Sequence, residues 1–160
     1  YDYYDRDKYL TNIGYDYSAI GKGLDLGENV WPNSDLKMMQ KTVDDYINSD
    51  SFSVYYMTVS GHGGYSYNTM SERNADLVKD LKYSDEVKGY LAANIELDKA
   101  MEFLQDLKKQ ASLTTPLFAL RTTIIRIHLM NLTVCPNLRV TRLTQPLNNT
   151  KMRGCCGAVQ

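Results

Sequence analysis

The clearest hydrophobic pattern in the chain is the run Phe52–Val59. Most of its residues are aromatic or β-branched, and none is glycine, proline or charged. Apolar residues at consecutive rather than alternate positions are typical of a strand buried on both faces of a parallel sheet. We therefore predict a central strand here, followed by the glycine-rich loop Ser60–Tyr65.

Two further segments have the spacing of amphipathic helices. The first follows the start signal Trp31–Asp35, in which Asn33 or Ser34 is the expected N-cap. The second has apolar residues on one face and charged residues, including Glu96, on the other. The spacing predicts helices over Ser34–Ile47 and Ser84–Lys109.

The segments between these elements have weaker patterns. Residues 12–26 contain three glycines and are predicted to be loop with at most short structure. Residues 71–81 are loosely periodic, which allows a short helix. A helix, a buried strand and a second helix are typical of α/β layers, so we expect an α/β fold with a mainly parallel sheet and flanking helices.

Composition narrows the possible partners and divides the chain. The 160 residues fit one domain, and a net charge of −1 gives no indication of binding to nucleic acid or to an anionic membrane. The last acidic residue is Asp106, and the last tyrosine is Tyr90. Most arginines and all three cysteines come after Ala111. We therefore treat residues 1–110 and 111–160 as different parts.

His62 is the first candidate for chemistry. Ligands of open α/β sheets bind beyond the carboxyl ends of the strands, which is where the Ser60–Tyr65 loop would present this side chain. An imidazole there suits binding an anionic oxygen or protonating a leaving group. The alternative is a turn histidine that hydrogen-bonds its own loop, and composition alone slightly favours it.

Arg6 is the second candidate. A guanidinium grips phosphate or sulfate through two parallel hydrogen bonds, which a lysine cannot do. The alternative is a surface arginine paired with Asp5 or Asp7, and spacing alone favours that alternative.

Several blocks of the chain resemble the lipoteichoic acid synthase and sulfatase-like family of the alkaline phosphatase superfamily. Met57–His62 is similar to the MTVSGH segment of gut-bacterial members, and Tyr83–Asp98 is similar to the YSD…ELD segment that follows it. The blocks occur in the family's order and cover roughly the first two thirds of the chain. The resemblance implies that residues 1–110 are a fragment of a catalytic domain with the alkaline-phosphatase-like sandwich fold.

The resemblance also assigns substrate-binding roles. The block Tyr4-Asp5-Arg6-Asp7 corresponds to a segment that lines the phosphoglycerol pocket in the family. It implies that Tyr4 packs against the headgroup and that Arg6 binds its phosphate. His62 would bind the same phosphate and assist departure of the leaving group. Many relatives have tryptophan at the position of Tyr4, which makes Tyr4 the weakest of the three assignments.

Family members act at a divalent metal, which is Mn²⁺ or Mg²⁺, or Ca²⁺ in true sulfatases. Their nucleophile corresponds to a position upstream of Tyr1, and an Asp-His pair that binds the metal would follow the long helix. This sequence contains no Asp-His dipeptide, and no carboxylate is near His128 in the sequence. We therefore expect no catalytic residue and no bound metal in this chain, and we expect it to be inactive.

The resemblance implies a parent protein of the bacterial cell membrane with an extracellular catalytic domain. Its substrate would be an anionic headgroup (phosphoglycerol, phosphoethanolamine or a sulfate ester), and either transfer or hydrolysis fits. The sequence starts at Tyr1 and has no targeting signal or apolar membrane segment, which for this family indicates a fragment. The alternative is a non-catalytic domain that binds anionic glycans or lipid headgroups. A metal-binding nucleophile encoded upstream would favour the enzyme.

The last third does not match the family as it stands, but it does in a shifted frame. Read one base out of frame, Ser112–Phe118 can encode LDDTLI, and Thr122–Ile127 can encode DHYPY. Leu138–Thr144 can give AGHEVD, and Lys151–Gln160 can give NAWMLWSGA. All four segments follow the family's order. We therefore hypothesise that residues from about Ala111 are an out-of-frame translation and expect them to be poorly structured; the alternative is a divergent β-rich tail.

The frame hypothesis predicts a gain of solubility. Restoring the frame by one base near codon 111, with the upstream gene included, should give a soluble, metal-binding domain. The 160-residue chain should instead aggregate through exposed strand edges. The checks are the nucleotide sequence across codons 105–160 and metal analysis of the repaired protein. A protease-resistant, monomeric 160-residue chain would contradict the hypothesis.

Overall fold

The computed structural model describes residues 3–62, 67–110 and 151–156, and this described part contains both helices and strands. The helices are α1 (Arg6–Asn12), α2 (Asp35–Thr42), α3 (Thr69–Arg73) and α4 (Asp85–Gln110), and the strands are β1 (Tyr15–Ile20), β2 (Gly23–Leu24), β3 (Phe52–Met57) and β4 (Lys151–Cys156). Short 3-10 turns lie at Tyr3–Asp5, Val43–Asp45 and Ala75–Leu77.

The four strands form a sheet in the order β2-β1-β4-β3, and every neighbouring pair is parallel. The register places Cys156 of β4 opposite both Ala19 of β1 and Met57 of β3, so the carboxyl ends of these three strands lie at the same level. The predicted α/β class with a parallel sheet is therefore confirmed for the described part of the chain.

Side chains of β1 and β3 alternate between two hydrophobic clusters. On one face, Leu10 of α1 and Ala19 form a cluster with Tyr15, Tyr17 and Met57. On the other face, Met38 of α2 lies with Leu24, Leu26, Ile20 and Tyr56. Each cluster contains only odd-numbered or only even-numbered residues of these strands, because successive side chains of a strand point to opposite faces of the sheet. A helix thus contributes to the core on either side of the sheet.

The central strand predicted at Phe52–Val59 differs from the observed β3 in length and burial. It ends at Met57, its residues are only partly buried, and Tyr55 is 39% exposed. The reason is that β3 pairs with β4 alone among the described strands and lies at the edge of the described sheet. The aromatic side chains of β3 contact the end of α2 and the 3-10 turn that follows α2. The hydroxyl of Tyr56 lies 3.0 Å from those of both Thr42 and Tyr46.

The prediction of mainly loop over residues 12–26 is wrong, because this segment contains β1 and β2. In β1 the aromatic residues Tyr15 and Tyr17 alternate with Asp16 and Ser18, which is the pattern of a strand. Glycines lie next to both ends of β1. Gly14 (φ 94°) precedes the strand and Gly21 (φ 84°) follows it, and both take a positive φ that extended strand residues do not have. The glycines therefore mark the ends of a strand and not a continuous loop.

The helices begin where the sequence predicts and differ mainly at their ends. The side chain of Ser34 caps α2, but the helix stops at Thr42 instead of Ile47 and continues as a 3-10 turn. The short helix expected within residues 71–81 differs in position: α3 begins earlier, at Thr69, and ends at Arg73, and Ala75–Leu77 form a 3-10 turn. α4 matches its prediction within one residue at each end.

α4 packs mainly against α2 and α3. Asn74, just after α3, connects α3 to α4. Its amide nitrogen donates to the Ala92 carbonyl at 3.1 Å, and its side-chain oxygen accepts from Lys99 at 2.6 Å. Glu96, predicted on the charged face, is buried instead, since α2 packs against α4. The buried carboxylate accepts a hydrogen bond from Ser34. Within the described residues, no helix combines the length and apolar character needed to cross a membrane.

At the C-terminal end, the structure describes only Lys151–Cys156 of the residues 111–160 that are expected to be poorly structured. Lys151–Cys156 form β4, which pairs with β1 on one side and β3 on the other. A segment without proline keeps all its backbone donors, so it can occupy a central position that a proline-containing segment would not. The rest of this part, including Pro116 and His128, lies outside the described residues.

The double role of Ser34 predicts a large effect of one hydroxyl group. Ser34→Ala removes the N-cap of α2 and also leaves the buried Glu96 carboxylate without this donor. We expect a loss of about 2–3 kcal/mol in the free energy of unfolding, measured by urea denaturation. Ser51→Ala, which changes an exposed serine, should cost less than about 0.5 kcal/mol. Equal losses in both variants would contradict the assigned role.

Candidate anion-binding site

The loop after β3 is fixed by the carboxylate of Asp35, the first residue of α2. One carboxylate oxygen accepts from the backbone N–H of Val59 at 2.8 Å. The other accepts from the N–H of Ser60 at 3.1 Å and from the Ser60 hydroxyl. We call this set of three hydrogen bonds the Asp35 clasp. All three residues are buried, so the clasp joins the start of α2 rigidly to the end of the β3 segment.

The protonation of Asp35 reflects opposing influences. Burial raises the pKa of its carboxyl group above the usual range, and the nearby Glu96 carboxylate acts in the same direction. The hydrogen bonds from Ser60 and Val59 oppose this shift because they stabilise the charged form. The net pKa is raised, so burial outweighs the three donors.

The same loop also lies against α4. A Cβ atom at Gly61 would lie 3.2 Å from the side-chain oxygen of Asn94, so there is little room for a larger residue. Asn94 is itself held by a hydrogen bond from its amide nitrogen to the Tyr90 carbonyl at 2.8 Å. The loop is therefore confined between the N-terminus of α2 and the middle of α4.

His62 follows this confined segment and lies where the sequence predicts, in the loop beyond β3 with a partly exposed side chain. Its backbone N–H donates to the Val59 carbonyl at 2.8 Å. Its ring lies edge-on to Trp31, with centroids 5.3 Å apart and an interplanar angle of 62°. The Nδ1 atom is buried and has no hydrogen-bond partner in the part of the chain that the structure describes.

This arrangement favours one tautomer of the neutral imidazole. Among the described residues, a hydrogen on Nδ1 would be a buried donor without an acceptor, which costs more than an unused lone pair. The neutral ring is therefore expected to carry its hydrogen on Nε2. In that state His62 can donate a single hydrogen bond to an anionic oxygen.

Tyr4 and Arg6 lie together at the start of α1. The guanidinium carbon of Arg6 is 5.2 Å from the centre of the Tyr4 ring, within the range of a cation–π contact. Tyr4 is 72% exposed and has a positive φ of 58°, an uncommon conformation for a non-glycine residue. The structure thus brings two of the three predicted substrate-binding residues into contact with each other.

The direction of α1 relates these residues to His62. Leu10 packs with Ala19 and Met57, which lie near the carboxyl ends of β1 and β3. The end of α1 leads through a two-residue turn to the start of β1, so the helix runs back along the strand. Arg6, one turn before Leu10, therefore lies toward the sheet edge beyond which the His62 loop begins.

Within residues 3–62, 67–110 and 151–156, no group of three or more His, Cys, Asp or Glu side chains is arranged to hold a metal ion. The divalent metal implied by the family resemblance therefore has no fitting site among these residues. Asp35 and Glu96 are both buried carboxylates, but their oxygens accept hydrogen bonds from Ser60 and Ser34.

Sequence reasoning missed two residues that shape this site. Asp35 was predicted only as an acidic residue in the first turn of a helix, because its partners Val59 and Ser60 are distant in sequence. Trp31 was predicted only as part of the helix start. The only signal available in the sequence is its place in the helix-start segment Trp31–Asp35.

The raised pKa of Asp35 predicts a specific pH dependence. Because the folded-state pKa exceeds the unfolded value of about 3.9, the stability linked to protonated Asp35 is present below pH 3.9 and is lost as the pH rises through the folded-state pKa. The side chain in Asp35→Asn does not titrate, so this variant does not lose that stability as the pH rises. Its free energy of unfolding should be lower than that of the unmodified chain, by about 1–3 kcal/mol at pH 3, with a smaller gap at pH 7.

Urea denaturation of both proteins at several pH values tests this prediction. The quantity of interest is the difference between the two proteins, since all other titrating groups are shared. A difference that grows between pH 3 and pH 7 would contradict it, because the hydrogen bonds would then lower the pKa of Asp35.

Comparison of this chain with protein-family models, with curated protein sequences and with solved structures found no match. The chemistry of the site therefore rests on its own residues.

Proposed function

We propose that this chain supplies the anion-binding part of an extracellular bacterial enzyme that transfers or hydrolyses a phosphate- or sulfate-ester headgroup at a divalent metal. The chain itself binds the anion through Arg6 and His62 and is inactive, as a fragment of an alkaline-phosphatase-like sandwich domain. Tyr4 contacts the headgroup beside Arg6.

The observation that carries this proposal is the position of His62. A partly exposed imidazole lies beyond the carboxyl end of a parallel strand, where α/β folds bind their ligands. Because Nδ1 is buried, we assign the hydrogen bond to the ligand to the Nε2–H group. In the complete enzyme the same nitrogen would donate to the oxygen of the leaving group.

The hydrogen bonds of the loop support recognition by side chains. The backbone N–H groups of Val59, Ser60 and His62 are all used inside the protein, the first two by Asp35 and the third by the Val59 carbonyl. A backbone nest for the anion cannot use these three donors. The use of these donors inside the protein favours contacts from side chains, such as an imidazole together with a guanidinium.

The metal chemistry belongs to the part of the enzyme beyond these residues. When bound there, the metal would polarise the phosphorus or sulfur centre and activate the nucleophile. The residues described in this chain have a different task. They hold and orient the anionic group, and His62 donates a hydrogen bond from its Nε2 atom.

Binding of inorganic phosphate and sulfate to the 160-residue chain tests this proposal. Arg6→Gln and His62→Ala should each weaken binding about tenfold or more, since the first removes a charged donor and the second removes the imidazole donor. Lys8→Gln removes the same charge two positions from Arg6, on an exposed residue paired with Asp5, and should change binding less than about twofold. Isothermal titration calorimetry measures all four proteins.

The chain should show no turnover of aryl phosphate or aryl sulfate with Mn²⁺ or Mg²⁺ present. Metal-dependent turnover would contradict the inactive-fragment part of the proposal. Equal phosphate affinities for the unmodified chain and the Arg6 and His62 variants would contradict the anion site itself.

A further inference from the structure

Trp31 contacts His62 and belongs to neither of the two hydrophobic clusters of the sheet. Its side chain is only partly buried. With the two rings edge-on, the imidazole can cover at most one face of the indole. At least one face of the Trp31 indole is therefore not covered by His62, and it lies beside the imidazole that is proposed to bind the anion.

The segment that carries Trp31 is held firmly from both sides. Before it, Glu28 accepts hydrogen bonds from Lys37 of α2 and Arg73 of α3, each at 2.6 Å. After it, the Asn33 amide donates to the Val30 carbonyl at 2.7 Å, and Ser34 and Asp35 begin α2. The local structure on either side of Trp31 is therefore fixed before any ligand binds.

The Asp35 clasp fixes the second ring to the same scaffold. Trp31 lies four residues before Asp35, and His62 lies two residues after Ser60, which Asp35 binds through both its N–H and its hydroxyl. One buried carboxylate thus sets the relative position of an imidazole and an indole. Such preorganisation is typical of a pair that acts on one ligand.

We propose that Trp31 is a substrate-binding residue that selects esters of ring-shaped sugars. The indole covers the C–H face of the sugar while His62 donates to the phosphate or sulfate group that the sugar carries. This inference rests on the proposed function and names its substrate class. Stacking on the indole buries more apolar area for a sugar ring than for glycerol or ethanolamine, so the sugar ester binds more tightly.

Three probes that carry the same anion separate the role of Trp31 from that of His62. Inorganic phosphate, glycerol 3-phosphate and glucose 6-phosphate differ only in the organic group. The 160-residue chain should bind glucose 6-phosphate most tightly. Trp31→Ala should weaken glucose 6-phosphate binding about tenfold more than it weakens inorganic phosphate binding.

Two further variants control for folding and for general aromatic effects. Trp31→Phe keeps an aromatic ring in the same segment and should weaken glucose 6-phosphate binding by a smaller factor. Tyr83→Ala removes an aromatic side chain that is 58% exposed just before α4 and should change none of the three affinities. Trp31 is the only tryptophan of the chain, so its fluorescence should respond to glucose 6-phosphate and directly report the contact.

The outcomes distinguish the two proposals. If Trp31→Phe and Trp31→Ala weaken all three probes equally, Trp31 only positions His62 and the sugar preference is overturned. If neither variant changes glucose 6-phosphate binding, the inference is also overturned. If His62→Ala leaves inorganic phosphate binding unchanged, it is the proposed function that fails.

Discussion

The interaction on which the candidate site depends is the clasp between Asp35 and the backbone of Val59 and Ser60. A carboxylate at the first turn of a helix is favoured by the helix dipole, and here it also satisfies two backbone donors that would otherwise be buried without partners. Ser34 extends the connection by capping α2 and donating to Glu96 of α4. Two adjacent residues therefore join α2 to the loop after β3 and to α4.

In the sheet, the position of the central strand β4 is set by backbone hydrogen bonds and not by a side chain such as Asp35. β4 pairs with both β1 and β3, and these pairs follow from backbone groups that every residue except proline carries. The frame hypothesis concerns the side chains of the tail and where they come from in the gene. A strand at Lys151–Cys156 is therefore compatible with either reading frame.

The sequence predicted what local patterns determine. Helical periodicity and a serine before an aspartate were enough to predict α4 and the start of α2, and the run before the glycines was enough to predict β3 and the placement of His62. β1 was missed because its tyrosines alternate with polar residues between glycines. The partners of Asp35 lie 24 and 25 residues away, and Glu96 lies 62 residues from Ser34. Such contacts arise from tertiary packing and leave no local pattern.

A carboxylate next to a loop that is proposed to bind an anion presents an electrostatic conflict, and two features of the structure reduce it. The N–H groups of Val59 and Ser60 point to Asp35, so their partial positive charges offset its negative charge. The raised pKa of Asp35 acts in the same direction, because a proton on the carboxyl group removes its charge. An anion bound at His62 would favour that proton further. Anion binding and protonation of Asp35 are therefore coupled, and each should strengthen the other.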